Sequence, residues 1–380
     1  MRIGFDAKRA FSNFTGLGNY ARAMIKNLAE HFPGYSYFMY TPRVPDEQQI
    51  RFLDLPHHAQ YHIRIPKSFI YELFPSLWRS FGIIRDLQQD GLDLYHGLSH
   101  ELPRGIAGSG IKTVVTIHDL IFLRYPEFYK AADRRIYYSK FKYACKHADR
   151  IIAISEQTKR DIVHFFKTDE DRISIVNMSA APIFLQEISE EEKEQIRAKY
   201  SLPARFLLNV GTIEDRKNAG LIIRALKLCH ADIPLVIIGR KTPYVEKLRT
   251  LIRDNELQDR VQFIHDIRFS DLPAIYRMAS IFIYPSLFEG FGIPVIEALH
   301  SGTPVIAATG SCLEEAGGDA ARYVSPHSEI DLAGTIDQIL TDPELREKMI
   351  RKGFEYVERF TEDRIAQELM NVYQKTLAHE

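Results

Sequence analysis

The sequence predicts an α/β protein with two doubly wound, Rossmann-like domains. The chain has 380 residues, more than one compact core usually contains, so two cores are expected. Short apolar runs are each followed by a polar loop and a stretch of helical periodicity, which is typical of strands buried on both faces of a parallel sheet. The runs form two sets, so we expect two similar domains that face each other across a cleft.

The apolar runs define the predicted strands of each half. In the first half they are Arg2 to Asp6, Tyr35 to Tyr40, Leu92 to His96, Thr113 to Ile117, Arg150 to Ile154 and Ile173 to Val176. In the second half they are Phe206 to Val210, Leu235 to Ile238, Val261 to Ile264, Ile281 to Tyr284 and Val305 to Ala308. Ligands of such sheets bind beyond the carboxyl ends of the strands, so the residues after each run are the candidates for function.

The segment between the two sets, Glu187 to Pro203, differs in composition from its surroundings. It contains the acidic run Glu190 to Glu192 and ends in Leu202-Pro203. This composition predicts a linker followed by a short solvated helix. We therefore place the first domain at residues 1–187 and the second at residues 188–362.

Charge and cysteine content exclude several classes of protein. Lys plus Arg is 49 and Asp plus Glu is 50, giving a net charge of −1, so the basic surface that drives non-specific nucleic-acid binding is missing. The three cysteines form no C-x-x-C pair, which argues against a disulfide framework or a zinc knuckle and fits a reducing cytoplasm. No uncharged apolar run reaches about 18 residues, so neither a signal peptide nor a spanning helix is expected.

The strongest local motif runs from Glu289 to Glu297 and follows a predicted strand. Pro294 suits the first turn of a helix, so the amides around it should point outward as an anion site at the positive end of the helix dipole. These amides belong to Phe291, Gly292 and Ile293. Glu289 and Glu297 can accept hydrogen bonds from sugar or ribose hydroxyls. The alternative is that Glu297 only complements the dipole and the glycines only turn the chain.

A second motif, Gly211 to Asn218, follows the first strand of the second domain. Asn218 is a natural N-cap for the next helix, which places Arg216 and Lys217 at the carboxyl edge of the sheet. Paired cations at this position can neutralise a diphosphate. Adjacent basic residues in a loop are also commonly just solvated, so the position is what favours the phosphate interpretation.

The segment Thr15 to Ala21 matches the dinucleotide fingerprint G-x-G-x-x-A at Gly16. A true fingerprint turns directly after its strand and has an acid at the end of the next strand. Here the loop is separated from Asp6 by a further segment, and the next strand runs into Thr41-Pro42-Arg43. We therefore interpret the motif as a glycine loop that allows a ligand close to the backbone, and only weakly as a nicotinamide site.

Histidines and acids elsewhere give weaker signals. His118-Asp119 ends a predicted strand and would place an imidazole and a carboxylate at the edge of the first sheet, although a satisfied, partly buried ring is equally expected there. His96 and His100 have no neighbouring carboxylate of the H-E-x-x-H kind, and Asp169 to Asp171 has the composition of a solvated turn. We therefore predict no metal site.

The stretch Phe69 to Ile84 is amphipathic and holds the only Trp of the chain, Trp78. Such a stretch can contact a membrane or a lipid-borne acceptor. A helix that packs on its own sheet has the same pattern, and we favour this second interpretation.

Taken together, the motifs resemble those of the retaining glycosyltransferases of family 4, which have the GT-B fold. The likeness is carried by Gly211 to Asn218, by Tyr284 to Pro294 with Glu297, and by Gly302 to Ala307. The spacing E-x7-E of Glu289 and Glu297 is the best-known mark of that family. In the first half Gly16, His118-Asp119 and Ser155 to Lys159 are similar to family positions, so the resemblance covers nearly the whole chain.

The resemblance implies transfer of a sugar from a nucleoside-diphosphate donor to an acceptor hydroxyl, with retention at the anomeric carbon and without a required metal or other cofactor. The implied catalytic residues are Glu289 at the sugar ring, Arg216 and Lys217 at the diphosphate, and His118 at the sugar or the acceptor hydroxyl. The other implied donor-binding positions are Gly16 and Gly211 near the phosphates, the amides of Phe291, Gly292 and Ile293, and Glu297 at the ribose.

This sequence departs from the family pattern at two positions. Many members have Arg where Thr212 stands, which leaves one fewer cation for the phosphates, and Pro where Asp215 stands, which puts an acid beside the site. The resemblance also implies that the final helix, about 363–380, crosses back onto the first domain, which would bind the acceptor, while the second domain would bind the nucleotide sugar.

Subfamily character makes GDP-mannose the first donor to test, with a lipid-linked or growing surface polysaccharide as acceptor. The expected location is the cytoplasm, including the inner face of the plasma membrane. Three alternatives stay open: a nicotinamide oxidoreductase, a GT-B epimerase or phosphorylase, and a non-catalytic sugar-nucleotide-binding subunit.

Overall fold

The computed structural model describes residues 1–51 and 53–378. Contacts within the chain divide it into two compact units. The first comprises Met1–Met178 together with the C-terminal segment that begins at Glu362, and the second comprises Ser179–Thr361. Each unit holds one parallel sheet with helices, which confirms the predicted α/β class with two Rossmann-like domains.

The first unit contains a sheet of 7 parallel strands. In chain order these are β1 (Arg2–Asp6), β2 (Ser36–Tyr40), β3 (Gln60–Arg64), β4 (Leu94–Gly97), β5 (Lys112–Ile117), β6 (Arg150–Ala153) and β7 (Ile173–Ile175). Their order across the sheet is β3-β2-β1-β4-β5-β6-β7, so the winding direction reverses between β1 and β4. Such a reversal leaves a crevice at the carboxyl ends of the strands, where ligands of open α/β sheets bind.

Helices connect these strands. They are α1 (Lys8–Ser12), α2 (Gly16–His31), α3 (Glu47–Arg51), α4 (Phe69–Leu73), α5 (Pro75–Leu77), α6 (Ile83–Gln89), α7 (Ile121–Arg124), α8 (Ala131–His147) and α9 (Glu156–Phe166). A π-helical turn, Trp78–Gly82, joins α5 to α6. The start of α9 shows how sequence sets a boundary, because the Ser155 hydroxyl accepts the amide of Thr158 at 3.1 Å and so caps the helix.

The second unit contains a sheet of 6 parallel strands in the order β10-β9-β8-β11-β12-β13. The strands are β8 (Leu207–Val210), β9 (Leu235–Ile238), β10 (Val261–Ile264), β11 (Ile281–Tyr284), β12 (Val305–Ala308) and β13 (Arg322–Val324). The helices are α10 (Glu190–Tyr200), α11 (Ala219–Leu228), α12 (Tyr244–Asp254), α13 (Leu272–Met278), α14 (Ile293–His300), α15 (Leu313–Gly317), α16 (Glu329–Thr341) and α17 (Pro343–Val357). Here the winding reverses between β8 and β11.

The last helix, α18 (Glu362–Ala378), belongs to the first unit and packs against α2 and β5. Its buried stripe includes Ile365, Leu369 and Tyr373, spaced at the period of one helix face. Among the residues that the structure describes, no helix is both long and apolar enough to cross a membrane.

All the predicted strands form, with ends that differ by at most two residues. Two strands were not predicted, β3 and β13, and both lie at an edge of their sheet. An edge strand is not buried on both faces and lacks the continuous apolar run of a central strand. In β3, for example, Gln60, Tyr61 and His62 are exposed, and Arg322 is exposed in β13.

The division between the units falls after Met178, whereas the sequence placed the domain limit after residue 187. The intervening segment joins the second unit through Phe184, which is fully buried. Its ring meets Tyr276 edge to face at 5.6 Å and Phe269 at 5.9 Å between centroids. The acidic segment that follows forms α10, as the composition predicted.

Candidate active site

The turn from β8 to α11 brings Arg216 and Lys217 to the carboxyl edge of the second sheet. Gly211 follows β8 with φ of 150°, a backbone conformation that favours glycine. Asn218 precedes α11, but its side chain does not cap the helix as the sequence predicted. It has φ of 57°, which asparagine tolerates, and its amide donates to the carbonyls of Pro285 at 3.1 Å and Pro326 at 2.8 Å. Asn218 therefore connects its own loop by hydrogen bonds to the loops of Pro285 and Pro326.

Glu289, in the loop after β11, is the centre of a polar cluster. Its Oε1 accepts hydrogen bonds from Lys217 Nζ at 2.5 Å, Ser286 Oγ at 2.5 Å and Tyr284 Oη at 3.1 Å. Its Oε2 lies 2.8 Å from Arg216 Nη1. The sequence predicted all three charged residues as site residues, and the structure brings them into direct contact.

The cluster fixes the charge of Glu289. Burial alone would raise the pKa of this carboxyl, but the charges of Lys217 and Arg216 and the hydrogen bonds from Lys217 and Ser286 outweigh it and lower the pKa to about 2. Arg216 also pairs with Glu214, at 2.8 Å between Nη2 and Oε1. The two cations are thus balanced by two carboxylates, and an incoming anion competes with Glu289 and Glu214 for them.

Two members of the cluster, Tyr284 and Ser286, lie within the motif Tyr284 to Pro294 but have no role assigned from the sequence. Tyr284 ends β11 and has the apolar neighbours of a core residue, and its hydroxyl also accepts a hydrogen bond from Lys217 Nζ at 2.6 Å. Ser286 is completely buried. Ser286 Oγ, whose proton points to Glu289, also lies 3.2 Å from the carbonyl oxygen of Arg216 and so lies between the two loops of the site. Nothing in the sequence around Ser286 indicates that its hydroxyl is buried against Glu289.

Glu297 lies inside α14 and is only 9% exposed. The hydroxyl of Tyr276 donates to its Oε2 at 3.0 Å. Burial raises the pKa of Glu297 to about 7, and the hydrogen bond from Tyr276 only partly opposes this. The packing of α13 against α14 therefore encloses the carboxyl group of Glu297.

Glu297→Gln should remove a pH dependence from the free energy of unfolding. Between the ordinary pKa of 4.5 and the folded value of about 7, the folded protein binds more protons than the unfolded chain. Stability should therefore fall as pH rises through this window, by on the order of 3 kcal/mol at about 1.4 kcal/mol per pKa unit. Urea unfolding near pH 5 and pH 8 should show that the free energy of unfolding of the variant, relative to that of the unaltered protein, is larger at pH 8 than at pH 5. Glu347→Gln, at an exposed position, serves as control. An equal difference between variant and unaltered protein at both pH values would contradict the raised pKa of Glu297.

The amino end of α14 has the form that the sequence predicted. The helix begins at Ile293 with Pro294 in its first turn. Gly292 is required by packing, since a Cβ there would lie 2.7 Å from Cβ of Ala316. Phe291 is buried with its ring edge to face with Phe360 at 5.6 Å. The first amides of the helix have no intrahelical acceptor, which suits this end to an anion.

In the first unit, Gly16 begins α2 and has open space around the position of a Cβ. Gly18 has a different role, because a Cβ there would lie 1.7 Å from the carbonyl oxygen of Asn13. The second glycine of the motif is therefore explained by packing within the loop, whereas the first leaves the start of a 16-residue helix accessible.

His118 follows β5 and is 4% exposed. Its Nε2 lies 2.9 Å from the carbonyl oxygen of Leu98, which makes Nε2 the donor and leaves the lone pair on Nδ1. Burial lowers the pKa of His118 to about 4 despite that hydrogen bond, so the ring is neutral at physiological pH. The ring of Tyr20 meets it edge to face at 4.5 Å between centroids.

Two other histidines of the first unit, His96 and His100, are held in its core. His96 contacts Tyr373 Oη at 2.6 Å through Nδ1 and Thr116 Oγ1 at 2.8 Å through Nε2. His100 stacks on Phe141 at 4.2 Å between ring centroids and accepts the amide of His118 through Nδ1 at 3.3 Å. In the described part of the chain, no three His, Cys, Asp or Glu side chains are grouped as metal ligands.

Comparison with known proteins defines the class. The family model "Glycosyl transferases group 1" matches residues 191–356, and the model "Glycosyltransferase Family 4" matches residues 14–178. O-antigen chain mannosyltransferase B of Escherichia coli is 26% identical over 393 aligned residues, which cover 98% of this chain and 99% of that protein. O-antigen chain mannosyltransferase RfbU of Salmonella typhimurium is 29% identical over 68% of each chain.

Solved structures agree on the fold. Anabaena Alr3699/HepE, crystallised with UDP and glucose, superposes with a TM-score of 0.73 at 18% identity and covers 99% of this chain and 100% of its own. A glycosyltransferase from Rickettsia africae ESF-5 gives a TM-score of 0.76 at 17% identity and covers 100% of this chain and 99% of its own. The protein thus has the GT-B fold of two Rossmann-like domains. It is a glycosyltransferase, an enzyme of the hexosyltransferase class.

Proposed function

We propose that the enzyme transfers a mannosyl residue from GDP-mannose to a saccharide hydroxyl during synthesis of a surface polysaccharide, with retention at the anomeric carbon. The observation that carries this proposal is the cluster of Arg216, Lys217 and Glu289 at the carboxyl edge of the second sheet. The names of the two mannosyltransferases that match this chain support mannose as the sugar and a polysaccharide as the acceptor. The resemblance to family 4 supports retention.

Arg216, Lys217 and the amino end of α14 would hold the donor diphosphate. Breaking the bond between the anomeric carbon and the phosphate oxygen increases the negative charge on the diphosphate. Fixed cations and helix amides stabilise that charge without rearranging during the reaction. Arg216 and Lys217 are only 16% and 14% exposed in their side chains, so their charges are weakly screened by water.

Glu289 would contact the transferred sugar. With a pKa of about 2 it is ionised at neutral pH, so it can accept hydrogen bonds from sugar hydroxyls and stabilise positive charge that develops at the ring. Glu297 would contact the ribose of the donor. Since its pKa is about 7, both protonation states are populated near neutrality, and the group can accept or donate a hydrogen bond.

His118 would bind a hydroxyl of the acceptor or of the transferred sugar. Its Nδ1 carries a lone pair because Nε2 donates to the carbonyl of Leu98. A neutral ring at this position accepts a hydrogen bond and adds no positive charge to the site.

The enzyme should release GDP from GDP-mannose at an unchanged rate in excess EDTA, because the two cations and the helix terminus supply the charge that a metal would otherwise provide. A coupled assay measures the released nucleoside diphosphate, which is GDP from GDP-mannose and UDP from the comparison donor UDP-glucose. The assay tests the metal independence and the donor together. Loss of activity in EDTA that Mn²⁺ or Mg²⁺ restores would contradict metal independence. A preference for UDP-glucose would contradict the assignment of the donor.

A further inference from the structure

Four polar side chains form a continuous row of hydrogen bonds through the core of the first unit. Tyr373 Oη on α18 lies 2.6 Å from His96 Nδ1, and His96 Nε2 lies 2.8 Å from Thr116 Oγ1. Thr116 Oγ1 in turn lies 3.0 Å from the hydroxyl of Tyr20 on α2. We call these four residues the polar chain. It connects the last helix of the protein, through β4 and β5, to α2.

All members of the polar chain are buried. Tyr373, His96 and Thr116 are 0% exposed, and Tyr20 is 3% exposed. Burial lowers the pKa of His96 to about 3, so its ring is neutral at physiological pH and carries one N–H. His96 therefore donates through one ring nitrogen and accepts through the other, which makes it the central link of the polar chain.

Stability alone is a weak reason for such an arrangement. A buried hydrogen bond contributes little net stability, because folding exchanges hydrogen bonds to water for hydrogen bonds within the protein. Apolar side chains of similar volume would fill the same space without polar groups that need partners. Hydrogen bonds add direction, since each one holds its two partners at a set distance and angle. The polar chain is therefore suited to placing a neighbouring group accurately.

Tyr20, at one end of the polar chain, contacts His118. Their rings meet edge to face, with centroids 4.5 Å apart and planes at 88°. This is a favoured geometry for two rings. Thr116 lies two residues before His118 in the chain, and its hydroxyl is the hydrogen-bond partner of Tyr20. The bond between Thr116 and Tyr20 thus fixes the ring that packs against the imidazole of His118.

A second route leads to His118 from His96. His118 Nε2 donates to the carbonyl oxygen of Leu98 at 2.9 Å, and Leu98 lies two residues after His96. Gly97, between them, is closely packed, because a Cβ there would lie 2.2 Å from the carbonyl oxygen of Glu101. The side-chain hydrogen bonds of His96 therefore anchor the segment whose carbonyl sets the tautomer of His118.

We propose that Tyr373 and Tyr20 are positioning residues of the glycosyl transfer. Through the polar chain they hold the ring of His118 in the orientation and tautomer that present its Nδ1 lone pair to a substrate hydroxyl. The inference rests on the proposed role of His118 and gives α18 a part in the reaction. A purely structural polar chain would attach α18 to the sheet and leave the imidazole unaffected.

Nuclear magnetic resonance of isotope-labelled histidine rings tests the positioning without requiring activity, and His118→Ala identifies the resonances of His118. Tyr373→Phe and Tyr20→Phe each keep the ring and remove one hydroxyl, so each should shift the ring-nitrogen resonances of His118. Tyr37→Phe is the matched control, because it removes a buried hydroxyl outside the polar chain that lies 2.7 Å from each of two backbone carbonyl oxygens. Unchanged resonances in either chain variant, or an equal shift in Tyr37→Phe, would overturn the proposal.

Kinetics supply a second readout. Tyr373→Phe should lower kcat/KM for transfer about tenfold, because a small displacement of a group that contacts substrate is costly. Its affinity for GDP should stay unchanged, since Arg216 and Lys217 belong to the other unit.

A double-mutant cycle shows whether Tyr373 acts through His118. In a His118→Gln background, Tyr373→Phe should change kcat/KM by less than about twofold, because its route to the substrate is already removed. A tenfold loss in both backgrounds would overturn the proposal. Failure of the proposed transfer would appear separately, as absence of GDP release from GDP-mannose by the unaltered protein, and the histidine resonances then decide the positioning by themselves.

Discussion

Glu289→Gln should lower kcat by about 10² or more while the protein stays folded. The variant keeps the size of the side chain and can still accept hydrogen bonds from Ser286 and Tyr284, but it removes the negative charge. An interaction that strengthens as positive charge develops at the sugar contributes mainly to kcat. Steady-state kinetics on protein whose fold has been verified by circular dichroism is the measurement.

The same variant should bind GDP more tightly than the unaltered enzyme, because Glu289 no longer competes with the diphosphate for Arg216 and Lys217. Lower kcat with tighter GDP binding is a combination that a misfolded site would not give. Glu297→Gln is the matched comparison, and it should raise KM for the donor with a smaller effect on kcat, as for a group that contacts the ribose equally throughout the reaction. A Glu289→Gln enzyme with nearly normal kcat would remove Glu289 from the catalytic residues.

Lys217→Ala should weaken GDP binding about tenfold to a hundredfold. A charge-assisted hydrogen bond contributes about 1.5 to 3 kcal/mol, and about 1.4 kcal/mol corresponds to a factor of ten in affinity. The loss is expected even though Lys217 already pairs with Glu289 at 2.5 Å, because its three N–H groups allow it to contact a phosphate as well. Calorimetry with GDP measures the change directly.

Lys227→Ala is the control for this experiment. Lys227 is exposed in the last turn of α11, at the end of the helix away from Asn218 and the site. Because it is also a lysine, its removal changes the net charge of the domain by the same amount. Its GDP affinity should match that of the unaltered protein. If the two variants bind GDP equally well, Arg216 and Lys217 are only solvated residues of a loop, and their assignment to the diphosphate is wrong.

The sequence was sufficient to predict the central strands and the edge of the second sheet at which Arg216 and Glu289 lie. A strand such as Leu235–Ile238 is apolar at every position and is buried throughout, so its pattern identifies it. The carboxyl ends of parallel strands meet at one edge, which is why Arg216 and Glu289 could be assigned to one site although they are far apart in the chain.

What the sequence did not predict depends on contacts between distant segments. The burial of Glu297 results from Tyr276 on a different helix, and no spacing around Glu297 indicates it. Asn218 has the residue type of an N-cap, but its side-chain amide instead donates to two backbone carbonyls of other loops. The exposed half of Phe69 to Ile84 could not be distinguished from a core helix, because an amphipathic pattern does not state what covers the apolar face.

The anomeric configuration of the product shows whether this chain is a retaining mannosyltransferase. The enzyme is incubated with GDP-mannose and a mannosylated acceptor on a short lipid diphosphate, and the new linkage is assigned by nuclear magnetic resonance. Because the mannose of GDP-mannose is α-linked, we expect an α-mannosyl product together with released GDP. A β-mannosyl product, or transfer from UDP-glucose but none from GDP-mannose, would contradict it.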